Sequence, residues 1–331
     1  MPDQHLDRAG DRDRAAFDTL VAPYRAELQV HCYRMLGSLQ DAEDVVQETL
    51  LAAWTGLDAF ENRSSVRTWL YRIATNRCLN HRRAATRRPR AAVPAGWPDP
   101  ASLGELPWLQ PFPDSVLDGL PDHHPGPEAR YESREAITLA FVTAMQRLPP
   151  RQRATLILRD VLGYPAADTA GLLGITVTAA NNALKRARAS LKQYGPSGDD
   201  RTATTHTQED EALLQRFIDA FLEFDVDAMV AFMSEDVWLR MPPEPFEFRG
   251  RESARQFFTA VRARHRPPGR FVRTRANGRP AWGMYRSDPA TGLLRLASIE
   301  VAAIADGAIS ELTRFDAVVA PWFGLPRTLA P

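Results

Sequence analysis

The sequence has few features of a secreted, zinc-binding or membrane-spanning protein. Only two of its 331 residues are cysteines, Cys32 and Cys78, and no C-x-x-C motif or Cys/His cluster occurs. This argues against a disulfide framework or a structural zinc site and fits a reducing cytosol. The charged N-terminus lacks the apolar core of a signal peptide, and no apolar run approaches the roughly 18 residues of a transmembrane helix. We therefore expect a cytoplasmic protein with no membrane partner.

The sequence also lacks net charge, but the two signs of charge are unevenly distributed. Its 41 basic and 41 acidic residues cancel. From Asn62 to Pro98 there are nine arginines and no acidic residue, and from Asp99 to Ala129 there are six acidic residues and no Lys or Arg. A run of one sign points to an oppositely charged partner, so the arginine-rich stretch predicts an anionic one.

Three blocks with a regular hydrophobic pattern are separated by two linkers. Residues 1–88 and 130–194 have helical periodicity, whereas residues 209–331 combine helices with short strands, which is an α+β pattern. Residues 195–208 are polar and rich in Gly and Thr, which predicts a flexible linker.

The other linker, residues 89–129, is dense in proline, which excludes a long helix or a central strand. It nevertheless contains large apolar residues that a solvated tether does not need: Trp97, Trp108, Leu109 and Phe112. We therefore expect this linker to lie partly against a protein surface.

A helix is predicted near the middle of the first block. Ser38 and Asp41 have the spacing of a capping box, and the helix that follows runs to about Gly56. One face of this helix carries Val46, Leu50 and Trp54. Another face carries Asp44, Gln47 and Glu48.

The stretch "SVRTWLYRIATNRCLNHRR", residues 65–83, predicts a second helix with an unusual surface. Five residues fall within about one third of its circumference: Trp69, Arg72, Asn76, Asn80 and Arg83. Cations bind phosphates, amides read base edges and a ring stacks on an unpaired base. This face therefore predicts nucleic-acid binding; the alternative is that its arginines pair with acids elsewhere in the fold.

Residues 149–192 have the pattern of a helix-turn-helix. A short helix, Ala166–Leu173, is followed by Gly174 as its end and Thr176 as the cap of the next helix. The second helix packs through Val177, Ala180, Leu184, Ala187 and Leu191. It exposes Thr178, Ala179, Asn182, Lys185, Arg186, Arg188 and Lys192. Small residues early and cations late suit a helix that enters the major groove, although a generic helical hairpin is the alternative.

The third block is predicted to begin with two amphipathic helices, Glu211–Phe224 and Asp227–Met233, and to continue with strands and a helix over about Gly250–Arg264. Asp306-Gly307 lies between two apolar runs and is a strong hairpin signal.

The first two blocks resemble extracytoplasmic-function (ECF) sigma factors of bacterial RNA polymerase. "DAEDVVQETLLAAW" is similar to region 2.2 of that family, and "SSVRTWLYRIATNRCLNHRR" to regions 2.3 and 2.4. "LPPRQRATLILRDVLGYPAADTAGLLGITVTAANNALKRAR" is similar to region 4. The resemblance covers about residues 11–193 in the family's order and spacing.

The resemblance implies contacts with core RNA polymerase, at its β′ clamp and β flap, and with promoter DNA. The residues implied at the core enzyme are Asp41, Asp44, Gln47 and Glu48. Those implied at the −10 element, where the loop 60–65 would capture a flipped base, are Phe60, Asn62, Arg63, Ser64, Trp69, Arg72, Asn76, Arg77, Asn80 and Arg83. Those implied at the −35 element are Thr178, Ala179, Asn182, Lys185 and Arg186. The acidic linker would thread towards the RNA exit channel.

Residues 209–331 resemble a SnoaL-like domain of the nuclear-transport-factor-2-like fold, through "LLQRFIDAFLEFDVDAMVAFMSEDVWLRMPP" and "FRGRESARQFF". The resemblance implies a conical pocket that takes small apolar molecules. Candidate acid/base groups are Asp236, His265, Glu300 and Asp316. Candidate wall residues are Trp238, Met241, Trp282, Met284 and Tyr285. As a possible ligand pocket we single out Trp238, His265, Trp282 and Glu300, although each is more simply a structural side chain.

The expected fold class is therefore multidomain: a region 2 helical bundle (1–88), a region 4 helix-turn-helix (130–194) and a C-terminal α+β SnoaL-like conical barrel (209–331). The expected function is a sigma factor that directs transcription initiation, modulated by its C-terminal domain. We expect no catalytic residues, metal or cofactor. Two alternatives are a SnoaL-like cyclase or hydrolase with a sigma-like scaffold, and a dedicated DNA-binding repressor, which would leave the "DAEDVVQETLLAAW" helix without a purpose.

Overall fold

The computed structural model describes residues 14–57, 60, 64–81, 93–94, 96–103, 109–118, 136–194, 207–242 and 244–331. They form two compact units. The first, called here the helical unit, draws its described residues from Met1–Ala84, Val116–Ala136 and Met145–Tyr194. The second, called the sheet unit, draws them from Ala85–Ser115, Ile137–Ala144 and Gly195–Pro331.

The helices of the described residues are listed here in chain order. They are α1 (14–21), α2 (Arg25–Leu36), α3 (Leu39–Thr55), α4 (Val66–Asn80), α5 (Asp114–Asp118), α6 (Leu139–Gln146), α7 (Pro150–Leu156), α8 (Ala166–Leu173), α9 (Val177–Tyr194), α10 (Gln208–Glu223), α11 (Val226–Ala231) and α12 (Arg251–Arg264). A π-helical turn, Ile157–Val161, continues α7. Within the described part of the chain, no helix is long and apolar enough to cross a membrane.

The start and end of α3 confirm the sequence prediction. Gly37 ends α2 with φ 71°, a conformation that glycine adopts without strain. The Ser38 hydroxyl then accepts a hydrogen bond from the backbone N–H of Asp41 at 3.2 Å, and Gly56 ends α3. Val46 and Leu50 are buried as predicted, but Trp54 is 37% exposed, packed edge-on against Phe17.

The helix-turn-helix also forms where the sequence predicts it. Gly174 ends α8 with φ 62°, and the Thr176 hydroxyl accepts a hydrogen bond from the backbone N–H of Ala179 at 3.1 Å. Of the residues expected to pack, Ala180, Leu184 and Ala187 are buried. Val177 is instead 43% exposed, because it is the first residue of α9 and precedes the turn that reaches the core.

A buried arginine organises the start of α7. The Arg153 guanidinium is 6% exposed and donates hydrogen bonds to the carbonyls of Met145 (2.9 Å), Gln146 (3.0 Å) and Leu148 (3.1 Å). It also donates to the carbonyl of Met35, on α2, and to the Gln146 side chain at 2.7 Å. These acceptors compensate the desolvation of a buried cation and tie residues 145–148 and α7 to α2.

The sheet unit is built on an eight-stranded sheet. Its strands are β1 (Ser102–Leu103), β2 (Met233–Arg240), β3 (Phe246–Arg249), β4 (Arg270–Ala276), β5 (Arg279–Ser287), β6 (Leu294–Ala305), β7 (Ala308–Asp316) and β8 (Thr328–Leu329). The order is β1-β3-β2-β7-β6-β5-β4, with β8 paired to β6. All pairs are antiparallel except β2 with β7. The described strands form an open sheet, which confirms the conical α+β fold without closing it into a barrel.

Helices α10, α11 and α12 supply one side of the core of this unit, and the sheet supplies the other. Phe217, Met229 and Phe248 are fully buried between them. The β6–β7 hairpin turns at Asp306-Gly307, as predicted, with φ 50° and 71° at the two residues. Helix bounds differ from the predicted ones by one to three residues because Thr207 and Asp225 act as caps and start α10 and α11.

Of the proline-rich segment, the described residues 93–94, 96–103 and 109–115 are part of the sheet unit. The backbone N–H of Ala101 donates to the carbonyl of Glu247 at 2.8 Å, and β1 pairs with β3. Phe112 is fully buried, and its backbone N–H donates to Asn277 Oδ1 at 2.7 Å. Asn277 returns a backbone bond to the Phe112 carbonyl at 2.9 Å and donates through Nδ2 to the carbonyl of Ile137 at 2.6 Å.

A carboxylate strengthens this attachment at the turn between β4 and β5. Asp114 accepts a hydrogen bond from the backbone N–H of Gly278 at 2.8 Å and one from Arg275 Nε at 3.1 Å. The expectation that the linker lies against a protein surface is thus confirmed for Trp97, Leu109 and Phe112, all packed within this unit. Trp108 lies outside the described residues.

Candidate functional site

The polar face of α3 is exposed in the middle of the helix. Asp44, Gln47 and Glu48 are all exposed, while the neighbouring Val45 and Thr49 are buried. Asp41 is half-buried, and its carboxylate lies beside His81. The structure therefore brings three of the four residues predicted to bind polymerase onto one open surface.

An apolar residue that sequence reasoning missed continues this surface. Leu51 is 65% exposed, the highest exposure among the exposed large apolar residues. It follows Asp44, Gln47 and Glu48 at spacings of seven, four and three residues, so it lies on the same helix face. Its spacing from Asp44 could have identified it in the sequence.

Two ion pairs connect this surface to α4. Glu48 lies 3.6 Å from Arg77, and Asp41 lies 3.7 Å from His81. Both members of the Glu48–Arg77 pair are about half exposed, so the pair contributes little to stability. A residue predicted at the polymerase thus contacts a residue predicted at the −10 element.

The predicted nucleic-acid face of α4 is exposed. Arg72, Asn76 and Asn80 are exposed at spacings of four residues, and Arg77 is exposed beside them. Among the described residues no acidic side chain forms an ion pair with Arg72. The face therefore presents one unneutralised cation and two amides in a row.

The aromatic part of this face differs from the prediction. Trp69 is half-buried and stacks on Phe60, with ring centroids 4.6 Å apart and an angle of 26° between the planes. One face of the indole is thus already covered. Ser64 is exposed. Asn62, Arg63 and Arg83 lie outside the described residues.

One arginine of this helix instead has a structural role. Arg67 binds Glu27 of α2 through Nε at 2.9 Å and through Nη2 at 2.9 Å, and it lies over the ring of Tyr71 at 4.8 Å. The Tyr71 hydroxyl also donates to Glu27 at 3.3 Å. Burial raises the pKa of Tyr71 well above its usual range, so the phenol stays protonated. The alternative of arginines paired with acids therefore holds for Arg67.

A buried histidine lies beside this cluster. His31 is fully buried, and its Nε2 lies 2.9 Å from the Thr75 hydroxyl. Burial, with Arg34 and Arg67 nearby, lowers the pKa of His31 to about 3. The imidazole is therefore neutral in the folded protein at physiological pH.

The predicted reading face of α9 is exposed. This face comprises Thr178, Ala179, Asn182, Lys185 and Arg186, all exposed. Arg188 points elsewhere and binds Asp160 through two hydrogen bonds of 2.9 and 2.7 Å. The structure thus separates the DNA candidate Arg186 from the structural Arg188, two residues away.

The sheet unit contains a partly open cavity of about 340 Å³. Its wall is made by the residues Trp97, Phe221, Leu239, Arg240, Met241, Phe257, Phe258, Val261, His265, Met284, Arg286, Ala297, Glu300, Leu312 and Arg314. Of the predicted pocket residues, His265 and Glu300 belong to this wall, and Trp238 and Trp282 do not. Trp282 is buried in the core, and Trp238 is covered by Arg240 and Arg249.

The charged groups of the cavity influence each other. Glu300 is 2% exposed; burial raises the pKa of its carboxyl, opposed by Arg314 at 3.9 Å and by a hydrogen bond from Ser298. Burial, together with Arg286 and Arg314, lowers the pKa of His265. Sequence reasoning missed Arg286 and Arg314 because positions on separate strands give no common motif.

Other predicted candidates of the third block lie outside the cavity wall. Asp236 is exposed and accepts a hydrogen bond from Ser234 at 3.1 Å, and Asp316 is exposed at the end of β7. Tyr285 donates to the carbonyl of Pro326 at 2.8 Å. The predicted wall residues Met241 and Met284 do line the cavity.

Comparison with known proteins identifies the class. Residues 20–88 match the model of sigma-70 region 2, residues 138–191 that of sigma-70 region 4, and residues 214–312 that of the SnoaL-like domain. The fold and these matches define a sigma-70-type transcription factor with a fused SnoaL-like domain.

Similarity over nearly the whole chain then gives the family. The chain is 40% identical to the ECF RNA polymerase sigma factor SigG of Mycobacterium tuberculosis, over 96% of this chain and 86% of that protein. It is 30% identical to SigM of the same species, over 54% of this chain and 76% of that protein. The crystal structure of M. tuberculosis SigJ has the same fold, with a TM-score of 0.57 and 21% identity, covering 95% of this chain and 99% of that one.

The chain therefore belongs to the extracytoplasmic-function family of RNA polymerase sigma factors. Sigma factors bind core RNA polymerase and promoter DNA and direct transcription initiation. The domain carried behind region 4 in this chain is a SnoaL-like domain.

Proposed function

We propose that three exposed helix faces divide the work of this sigma factor. The face of α3 with Asp44, Gln47, Glu48 and Leu51 binds the β′ clamp of core polymerase. The face of α4 with Arg72, Asn76, Arg77 and Asn80 holds the −10 strand. The face of α9 with Thr178, Ala179, Asn182, Lys185 and Arg186 contacts the −35 element. The supporting observation is that each set is exposed on one side of a single helix whose other side is buried.

The proposal extends to the remaining predicted residues: at the −10 element these are Phe60, Asn62, Arg63, Ser64, Trp69 and Arg83, and at the core enzyme Asp41. The Trp69–Phe60 stack suits a wall of a base pocket better than a free stacking surface. Region 4 is proposed to bind the β flap as well as DNA. The domains are proposed to span residues 1–88, 130–194 and 209–331, and the protein to act in the cytoplasm, where the polymerase is.

The test of the polymerase face is a charge reversal with a matched control. Asp44→Arg with Glu48→Arg is expected to weaken core polymerase binding at least 100-fold, because two carboxylates on the proposed contact become cations. The control reverses Asp219 and Glu223 to Arg, which have the same spacing on the exposed face of α10. Equal binding by both double variants would refute the assignment.

The function itself is tested by reconstituted transcription. Core polymerase, the full-length protein and fragmented genomic DNA are combined, and the RNA 5′ ends are sequenced. Start sites that share two upstream elements are expected with the wild-type protein and are expected to disappear with the α3 double variant. Start sites without a shared sequence would contradict the proposal.

We also propose that the sheet unit modulates this activity by binding, without catalysing a reaction. The supporting observation is that residues 96–103 and 109–115, which lie between regions 2 and 4 in the sequence, are built into that unit through Trp97 and Phe112. The predicted threading of this linker towards the RNA exit channel would require those residues to leave their sites. Packing of the linker in the sheet unit would then compete with its passage towards the RNA exit channel.

Two Asx-Gly turns allow this modulation to be tested. Asn277 and Asp306 both have positive φ, 54° and 50°, and both precede a glycine. Asn277→Gly keeps the turn but removes the side-chain bonds to Phe112 and Ile137; Asp306→Gly keeps the turn between β6 and β7. Asn277→Gly is expected to change transcript yield at unchanged start sites, and Asp306→Gly is not. The same yield from both variants would argue against modulation through the linker.

A further inference from the structure

The cavity of the sheet unit has two chemically different walls. The helices contribute only apolar side chains, Phe221 from α10 and Phe257, Phe258 and Val261 from α12. The charged side chains come from the strands, with His265 directly after α12. A volume of about 340 Å³ lies at the lower end of the range, roughly 300–1,000 Å³, that small-molecule sites occupy.

The charges on the sheet wall do not balance. The charge of Arg240 is neutralised by two carboxylates, Glu311 at 2.7 Å and Glu247 at 3.4 Å. The remaining cations, Arg286 and Arg314, have only Glu300 as an acidic group in the cavity wall. Arg286 also donates through Nη1 to the backbone carbonyl of Arg266 at 2.7 Å, a neutral acceptor that leaves its charge unbalanced.

The surroundings of Arg286 disfavour its charge. Burial and the nearby Arg314 lower the pKa of Arg286, whereas Glu300 raises it. Glu300 lies 3.9 Å from Arg314, beyond hydrogen-bond distance. An anion in the cavity in contact with the two guanidinium groups would relieve their repulsion and supply the negative charge that Glu300 alone does not balance.

We propose that this cavity binds an amphipathic carboxylate, whose carboxylate group contacts Arg286 and Arg314 and whose apolar chain packs against Phe221, Phe257 and Phe258. The wall that would receive the chain consists of aromatic and aliphatic side chains, so burial of the chain gains hydrophobic free energy. The two arginines give preference for an acid over an alcohol of the same length.

Trp97 connects this site to the linker. Its indole lies edge-on to Phe246, Phe248 and Phe257, with ring centroids 5.9, 5.9 and 4.9 Å apart, and it is also part of the cavity wall. Because the indole is only partly buried, a bound chain covers more of it and stabilises the docked segment 96–103. The consequence for transcription rests on the proposed function, but the binding itself does not.

Calorimetric titration of the full-length protein tests the site with three probes: decanoate, 1-decanol and acetate, at pH 7.5. Decanoate is expected to bind at least tenfold more tightly than 1-decanol, and acetate is expected not to bind. Equal affinity for decanoate and 1-decanol would overturn the proposal, because the cavity would then be merely apolar. Absence of decanoate binding would overturn it as well.

Three arginine variants identify the group that binds the carboxylate. Arg286→Gln is expected to remove the preference for decanoate, and Arg286→Lys is expected to retain most of it. Arg273→Gln, at an exposed arginine of β4 outside the cavity wall, is the control and is expected to bind like the wild type. Circular dichroism and melting temperature show whether each variant is folded. A folded Arg286→Gln variant with full preference for decanoate would refute the assignment.

Fluorescence tests the role of Trp97, and transcription separates the two proposals. Decanoate is expected to shift the tryptophan emission of the wild type and to shift that of Trp97→Phe much less; equal shifts would refute the contact. If decanoate binds with the predicted selectivity but the protein does not direct transcription, the proposed function fails and the ligand site stands. If transcription is promoter-specific and decanoate does not bind, only the ligand site fails.

Discussion

The helical unit and the sheet unit hold their candidate functional residues in different places. In the helical unit these residues lie on the outer faces of α3, α4 and α9, and each set comes from fewer than three turns of one helix. In the sheet unit the candidates line a cavity and come from two helices, four strands and the segment around Trp97.

This difference follows from the size of the partner. Polymerase and duplex DNA are larger than the domain, so their contacts must be on convex, exposed faces. A small ligand has to be surrounded to be bound tightly, so its site must be concave and assembled from several elements. Sensitivity to mutation should differ accordingly: substitutions on the helix faces should change binding and leave stability intact, while those around the cavity should change both.

The largest expected effect is on the stability of the sheet unit. Phe112→Ala is expected to lower the free energy of unfolding of this unit by about 3–5 kcal/mol, because it empties a fully buried aromatic site. Urea unfolding followed by tryptophan fluorescence measures it. Val318→Ala, at a residue that is 54% exposed, is the control and is expected to change stability by no more than about 0.5 kcal/mol. Similar values for the two variants would mean that the linker is only loosely attached.

The next largest effect is a pH dependence of stability that comes from a buried histidine in the interior of the helical unit. Because the pKa of His31 is lowered to about 3 in the folded protein, the unfolded chain takes up a proton first as the pH falls below about 6.5. The contribution of neutral His31 to the free energy of unfolding is therefore complete above about pH 6.5 and is lost as the pH falls towards 3. The loss between pH 8 and pH 4.5 is about 3 kcal/mol. His31→Gln is expected to remove that part of the pH dependence.

The control for this measurement is His81→Gln. His81 is partly exposed and lies 3.7 Å from Asp41, so its replacement removes a second histidine of the helical unit without altering the buried site around His31. If His31→Gln and wild type lose the same stability on acidification, the interior of the helical unit is less sensitive to protonation than the structure indicates.

The same comparison explains which parts of the molecule could be predicted from the sequence. Asp44, Gln47 and Glu48, or Thr178, Asn182 and Lys185, follow the helical repeat, so their common exposure could be predicted from spacing alone. The end of α8 and the start of α3 were predictable from local sequence. Glycine at position 174 adopts the positive φ that ends a helix, and the Ser38 hydroxyl caps the first turn of α3.

The cavity could not be predicted in this way. Arg286 and Arg314 are separated by 28 positions in the numbering and belong to different strands, and only sheet register brings them to one wall. Trp97 is still further away, and nothing local indicates that it packs against α12 rather than any other surface. Asn277-Gly278, by contrast, carries a hairpin signal as strong as Asp306-Gly307 and could have been identified from the sequence.

A smaller effect is expected from one exposed arginine of α9. Arg186→Ala is expected to weaken binding to a −35 element by about 1–3 kcal/mol if the side chain contacts a base edge, with little change in binding to unrelated DNA. Arg188→Ala is the matched control, since that arginine is two residues away but bound to Asp160. Fluorescence anisotropy with specific and scrambled duplexes measures both. Equal losses on both duplexes would indicate a phosphate contact.

The smallest expected effect concerns the pair that joins the polymerase face to the −10 face. Glu48 and Arg77 lie 3.6 Å apart and are about half exposed, so Arg77→Gln should change the free energy of unfolding by no more than about 1 kcal/mol. The same substitution should weaken binding to single-stranded −10 DNA and reduce its salt dependence, because one phosphate contact is lost. A large loss of stability with unchanged DNA binding would place Arg77 with Arg67 among the structural arginines of α4, and the nucleic-acid face would then consist of Arg72, Asn76 and Asn80 alone.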